Sequence, residues 1–163
     1  MHGFVVRPGL EGDVREVLPL VRELCDLHAS RDPVRFRVVD DVIERYERWL
    51  PERAVDPRSV FLVACVNERI VAFTVCTIEP EVPIFWIPEC GWIHDLYVLP
   101  GFRRMGIAGA MVREVARRYR TMGVKQLRLH TGAFNEDARA MFSREGFRPC
   151  VVEMLMPLDE PAA

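Results

Sequence analysis

"DLYVLPGFRRMGIAGAMV", residues 95–112, joins two kinds of local order. Apolar, β-prone residues run to Val98, Pro100 ends them, and Arg103 and Arg104 follow. Gly106, Ala108 and Gly109 then open a helical pattern whose inner face is Ile107, Met111, Val115, Tyr119 and Met122. A helix starting near residue 106 leaves its first backbone N–H groups without intrahelical acceptors. Its dipole favours an anion at that end. Minimal side chains let a large anion reach the backbone, and two guanidinium groups add charge. The corner therefore reads as a diphosphate cradle or as a tight strand-to-helix turn packed on a neighbour. It lacks the Gly-Lys-Ser/Thr of a nucleoside-triphosphate loop. It also sits too late in the chain for a dinucleotide fingerprint, which follows a first strand.

Outward from this corner the pattern predicts β-α-α-β-β-β-α-β-α-β. "GFVVRPG" reads as a first strand, and residues 11–29 carry Val14, Val17, Leu18, Val21 and Leu24 at helical spacing. Asp32-Pro33 is a break, residues 38–50 a second helix, and Pro51 and Pro57 its exit. "SVFLVACV", the turn "NER" and "IVAFTVCTI" form a hairpin. Residues 79–90 read as a Pro-rich loop with Phe85 and Trp86 at its centre, before the strand "CGWIHDLYV". The helix over 106–122 leads to the strand "KQLRLHT", a helix over 135–144 stopped by Gly146, and a last strand "CVVEMLM". Residues 91–131 should be a right-handed βαβ unit with parallel strands. The expectation is an α/β (α+β) mixed sheet with helices on its faces, in one domain over residues 1–163.

A chain of 163 residues, half hydrophobic and 28% charged, has an ordinary globular balance and can bury a real core. A net charge of −2 argues against a nucleic-acid binder that relies on bulk positive charge. Lys125 is the single lysine. Cys25, Cys65, Cys76, Cys90 and Cys150 are odd in number and scattered, without a CxxC pair, so neither a metal site nor a disulfide framework is expected. No signal-peptide pattern or membrane-length apolar run is found, and a cytoplasmic protein without a membrane partner is expected.

"VLPGFRRMGIAGAMV" resembles the acyl-CoA-binding motif of the GNAT superfamily of N-acetyltransferases, Arg/Gln-x-x-Gly-x-Gly/Ala, through Arg103, Gly106 and Ala108. "NEDARAMFSREGF" is similar to the family's second signature, N-x-x-A-x-x-φ-Y-x-x-x-G-F, at the family's spacing. The resemblance covers residues 91–157. It implies a GNAT-like sheet, mostly antiparallel, with a central parallel pair splayed after a bulge. It implies that acetyl-CoA is the cosubstrate and that backbone amides of Arg104, Met105, Gly106, Ile107, Ala108 and Gly109 hold its pyrophosphate, with Arg103 adding charge. Leu96, Tyr97 and Val98 would pair their backbones with the pantetheine arm. Asn135 stands where the family contacts the cofactor, and it also reads as a plain N-cap. The family's frequent dimers imply a possible homodimer, to which "CVVEMLM" could contribute.

Acetyl transfer needs an amine freed of its proton, and an alkylamine with pKa near ~10.4 is protonated at neutral pH. A base tuned near working pH is therefore valuable. His94 is the candidate, on the face of Trp92 and Leu96 by strict alternation. The resemblance supports this, because some members use a histidine or glutamate at this strand position. "IHDLYV" is also similar to the "LEDFFV"-type strand of diamine acetyltransferases, so Asp95 would attract a cationic substrate or orient a base. His130 is a lesser candidate. The family's usual general acid is a tyrosine, and here it is Phe142, with Ser143, Tyr97 or water as substitutes. Glu79, Glu81, Glu89 and Asp95 border the acceptor side and would favour a small cationic amine or a protein amine. They also read as ordinary solvated charge, just as Phe85, Trp86 and Trp92 read as pocket wall or as core. The expected activity is that of an N-acetyltransferase. The alternative is an acyl-CoA-binding regulatory protein with weak catalysis.

Overall fold

The computed structural model describes residues 3–158. Five strands form one sheet in sequence order: β1 (Val5–Pro8), β2 (Val60–Val66), β3 (Arg69–Pro80), β4 (Glu89–Val98) and β5 (Leu127–Leu129). The first four are antiparallel, and β4 and β5 are parallel. The helices are α1 (Val14–Arg31), α2 (Pro33–Phe36), α3 (Val42–Val55), α4 (Ile107–Thr121) and α5 (Glu136–Arg144). The sheet is thus mixed and mostly antiparallel, with α1 and α3 over one face and α4 over the other.

Local chemistry explains the joints. Asp13 takes both guanidinium nitrogens of Arg7 at 2.6 and 2.8 Å and accepts from the Leu10 N–H, tying the end of β1 to the start of α1. Asn67 and Glu68 both adopt positive φ (48° and 67°), the pair that a twisted two-residue hairpin turn requires. The Asp32 side chain caps α2 through the Arg35 N–H. On α4, Ile107, Met111, Val115 and Tyr119 are at most 2% exposed against the sheet. Truncating Met111 to alanine there should cost about 2–5 kcal/mol.

Several boundaries differ from those expected. Residues 38–41 lie outside α3, and Pro51 lies inside it. The missing N–H removes one intrahelical bond, while fully buried Leu50 and the Asp56 N–H on the Glu52 carbonyl hold the helix on to Val55. Met122 is 44% exposed and so lies off the inner face of α4. β5 is three residues long. Residues 150–156 form no strand: they are exposed, and their backbones pair with none of the five strands. Phe85 and Trp86 belong to no core, being 56% and 88% exposed.

Candidate active site

The strand that carries His94 is bulged. Trp92 pairs with Thr77 and Asp95 with Val75, so both lie on the face shared by alternate residues of β3, and His94 is the extra residue between them. Two consecutive side chains, His94 and Asp95, therefore point to the α1–α3 side, and Tyr97 continues that face. Leu96 moves to the opposite face beside Thr74, correcting the strict alternation that grouped it with His94. The carbonyl of Asp95 accepts from the Thr74 hydroxyl at 2.7 Å, which fixes the bulge.

Each of the two acid–base side chains has its own support. The Trp49 ring stands edge-on to the His94 imidazole at 5.5 Å. His94 Nε2 lies 2.6 Å from the Thr77 hydroxyl, which donates to Glu79 Oε1 at 2.5 Å. Burial lowers the affinity of His94 for a proton, and the Glu79 carboxylate opposes that shift. Asp95 accepts from the Tyr46 hydroxyl at 2.8 Å. Burial pushes its carboxyl up to about 6, against the pull of the Tyr46 bond, so it stays ionised at neutral pH. Tyr97 donates to Glu23 of α1 at 2.9 Å.

β4 and β5 pair only from Gly91 with Leu127 to Ile93 with Leu129, and then part. A cleft of about 680 Å³ opens beyond that point. At its far end the chain turns through Arg104 (φ 63°) and Gly106 (φ 83°) into α4. Gly106 is required by its left-handed φ, and a side-chain carbon there would meet nothing within 4 Å, so that backbone faces open space. Backbone amides from Arg104 to Gly109 have no acceptor among the described residues, and the next one, on Ala110, bonds the Gly106 carbonyl. Gly109 is small for another reason: a Cβ would collide with the Glu145 carboxylate, which pairs with Arg113. Arg103 lays its guanidinium over the Tyr97 ring at 5.5 Å and donates Nε to the Val98 carbonyl at 3.0 Å.

The cleft is lined by His94, Asp95, Leu96, Tyr97, Val98, Arg103, Arg104, Gly106, Ile107, Ala108, Gly109, Asn135 and Phe142, together with His130. Met105, on the same turn, does not line it. The Asn135 side chain caps α5 by accepting from the Ala138 N–H at 3.2 Å.

A family model described as "Acetyltransferase (GNAT) family" matches residues 22–147. The chain belongs to the GNAT family. An uncharacterized N-acetyltransferase of Methanocaldococcus jannaschii is 30% identical over 107 residues, 63% of this chain and 43% of that protein. The chain thus spans less than half the length of that curated relative. A tetramutant of a Bacillus halodurans protein has the same fold, with a TM-score of 0.79 at 23% identity over 94% of this chain and 99% of that one. So has an aminoglycoside N-acetyltransferase solved in complex with CoA, with a TM-score of 0.77 at 14% identity over 96% and 95% of the two chains.

In this GNAT-family chain the acidic cluster is dispersed. Glu81 pairs with Arg128, and Glu89 with Arg58 at 2.6 Å. Glu79 and Asp95 remain directed to the site. Phe142 is buried against Phe147, with ring centroids 5.4 Å apart. Ser143 is exposed outside the cleft, and the Tyr97 hydroxyl is engaged by Glu23. Sequence reasoning missed Tyr46, Trp49 and Thr77. The first two lie on α3, about fifty residues before the strand they serve, and no local spacing marks them. Thr77 sits in an alternating strand, where it reads as filler.

Proposed function

We propose that the chain transfers an acetyl group from acetyl-CoA to a primary amine of a small cationic molecule. The observation that carries this reading is one cleft with two chemically different ends. One end has unpaired amides and arginines, and the other has an imidazole whose Nε2 is held by Thr77. The residues present fit the cosubstrate. The open backbone at Gly106, with Arg104 beside it, suits a diphosphate, and the free edge of β4 beyond Ile93 suits an amide-bearing arm. Acetyl-CoA supplies an activated thioester, whose carbonyl carbon gains the amine nitrogen while the thiolate departs.

The chain's own residues do the rest. Thr77 has one hydroxyl proton and gives it to Glu79, so it accepts from His94 Nε2–H. That leaves His94 Nδ1 as the lone-pair nitrogen that takes the amine's proton. Glu79 stabilises the resulting imidazolium. Asp95 presents a negative charge to a cationic acceptor, and a backbone N–H between Leu96 and Val98 meets the developing oxyanion. Phe142 has no proton to give, but a thiol of pKa near ~8.5 leaves tolerably as thiolate.

The test is thiol release from acetyl-CoA over polyamines, aminoglycosides, amino acids and lysine peptides. Turnover on one acceptor class, reduced ~10²–10⁴-fold by His94→Ala, is the expected result. The absence of the tyrosine hydroxyl at Phe142 favours a second reading, an acyl-CoA-binding regulatory protein. Tight acetyl-CoA binding without thiol release from any acceptor would support that one.

A further inference from the structure

The α1 side of the cleft differs in character from its two polar ends. Leu24, Leu27 and His28 stand at i, i+3 and i+4 on α1, so one stripe of that helix faces the cleft. Leu24 is buried, and Leu27 packs partly against the core. Burial lowers the proton affinity of His28, which is therefore an uncharged ring at neutral pH. Taking the site as that of an amine acetyltransferase, we propose that this stripe receives the apolar, ring-bearing body of a primary monoamine. The acceptor is then an arylalkylamine rather than a polyamine or an aminoglycoside.

Three rings from separate elements hold this wall in place. His28 stacks on Phe36 of α2, with centroids 5.0 Å apart and planes 28° from parallel. Phe134, in the turn before α5, meets both rings edge-on, with centroids 5.8 and 6.1 Å away. The Phe134 ring in turn lies against Gly132, where an added Cβ would stand 2.5 Å from it, so the turn is packed closely. The cluster ties α1 and α2 to the loop that follows β5, beyond the point where β4 and β5 part. The α1 stripe is thus a fixed surface, and an apolar body laid on it leaves water without stripping any charge.

Charge decides between one cationic group and several. A single ammonium is met by Asp95 in the cleft and by Glu79, which lies 3.5 Å from His94 Nε2. Asp137 is the other carboxylate that lines the cleft, and it belongs to α5, which packs on α4. The α1 wall has nothing for a second cation. Glu23 is taken by the Tyr97 hydroxyl, and Asp26 is exposed outside the cleft. Glu81 and Glu89 are held by Arg128 and Arg58, and Arg53 of α3 bears on His94 as a positive charge. A polyamine or aminoglycoside would set its further ammonium groups against Leu24 and Leu27 without partners, which is costly. An aromatic body carries no such groups and suits a wall of leucines and rings.

The test compares thiol release with 2-phenylethylamine, spermidine and kanamycin as acceptors at saturating acetyl-CoA. In the wild-type chain 2-phenylethylamine should exceed the other two in kcat/KM by about tenfold or more, with the difference carried by KM. Leu27→Asp, checked for folding by circular dichroism and for an unchanged KM for acetyl-CoA, should raise KM for 2-phenylethylamine by about tenfold and lower that for spermidine. A wild-type preference for spermidine or kanamycin would overturn the assignment, and so would a folded Leu27→Asp chain that keeps the wild-type order. Failure of the acetyltransferase reading looks different, because no acceptor then releases thiol. Calorimetry of the CoA-loaded wild-type chain settles the wall in that case. Tighter binding of 2-phenylethylamine than of spermidine supports it, and the reverse order or no binding overturns it.

Discussion

The Nε2 of His94 lies 2.6 Å from the hydroxyl of Thr77, whose proton is already committed to Glu79. This one contact fixes the tautomer of His94, the proposed base, because a hydroxyl that donates its proton can only accept from a second partner. It also carries the influence of Glu79 to the imidazole. Burial lowers the proton affinity of His94 and Glu79 raises it. Glu79→Gln should therefore move the acid limb of kcat/KM to lower pH and reduce kcat about tenfold, because a weaker base remains. Thr77→Val should lower kcat with KM for acetyl-CoA unchanged. An acid limb that stays in place in Glu79→Gln would show that the carboxylate is not coupled to the titrating group.

Asp95 makes an opposite prediction for stability. Its carboxyl is raised from 3.8 to about 6 in the folded chain, chiefly by burial. Between those values the native state keeps a proton that the unfolded chain has lost, so this group's contribution to stability falls as pH rises. Asp95→Asn removes that loss while keeping an acceptor for Tyr46. Allowing for solvent in the cleft, the variant should gain on the order of 1–2 kcal/mol over wild type between pH 4 and 7, read as a growing difference in Tm. A difference that is flat with pH would show that Asp95 titrates normally.

The two glycines at the start of α4 are small for different reasons and should fail differently. Gly106→Ala forces a left-handed φ of 83° on a side chain, at about 1 kcal/mol, and narrows the open face of the turn. Its expected signature is a raised KM for acetyl-CoA with a modest loss of Tm. Gly109→Ala instead displaces the Glu145 carboxylate from Arg113. That carboxylate is the far end of a flexible side chain and swings aside cheaply, and alanine favours the helix by about 1 kcal/mol over glycine, so Tm should change little while KM moves less. Equal effects on KM would place both glycines in the same role.

Legibility in the sequence followed the range of the interaction. The β4–turn–α4 corner was readable because strand alternation, the small residues and helical spacing are all local. The hairpin at Asn67 and Glu68 was readable for the same reason. The end of α3 was misplaced because Pro51 is a local signal overruled by the burial of Leu50, a tertiary fact. The face of Leu96 was misplaced because one extra residue in β4 inverts alternation, and a bulge leaves no mark in composition. Tyr46 and Trp49 reach His94 and Asp95 only through the docking of α3 on the sheet, so nothing near the motif announces them.

Phe142 allows the order of difficulty of the two proton transfers to be tested. It lines the cleft from the buried side of α5, where the family signature carries a tyrosine. Restoring the hydroxyl with Phe142→Tyr adds a donor without changing the ring's packing on Phe147. If removal of the amine's proton limits turnover, that donor is idle. The thiolate, from a thiol of pKa near ~8.5, already leaves readily, whereas the amine near ~10.4 must still be deprotonated. Phe142→Tyr should then leave kcat within about twofold of wild type at neutral pH, while His94→Ala lowers it by about a hundredfold or more. A rise of tenfold or more in Phe142→Tyr would reverse the order and make protonation of the departing sulfur the slow event.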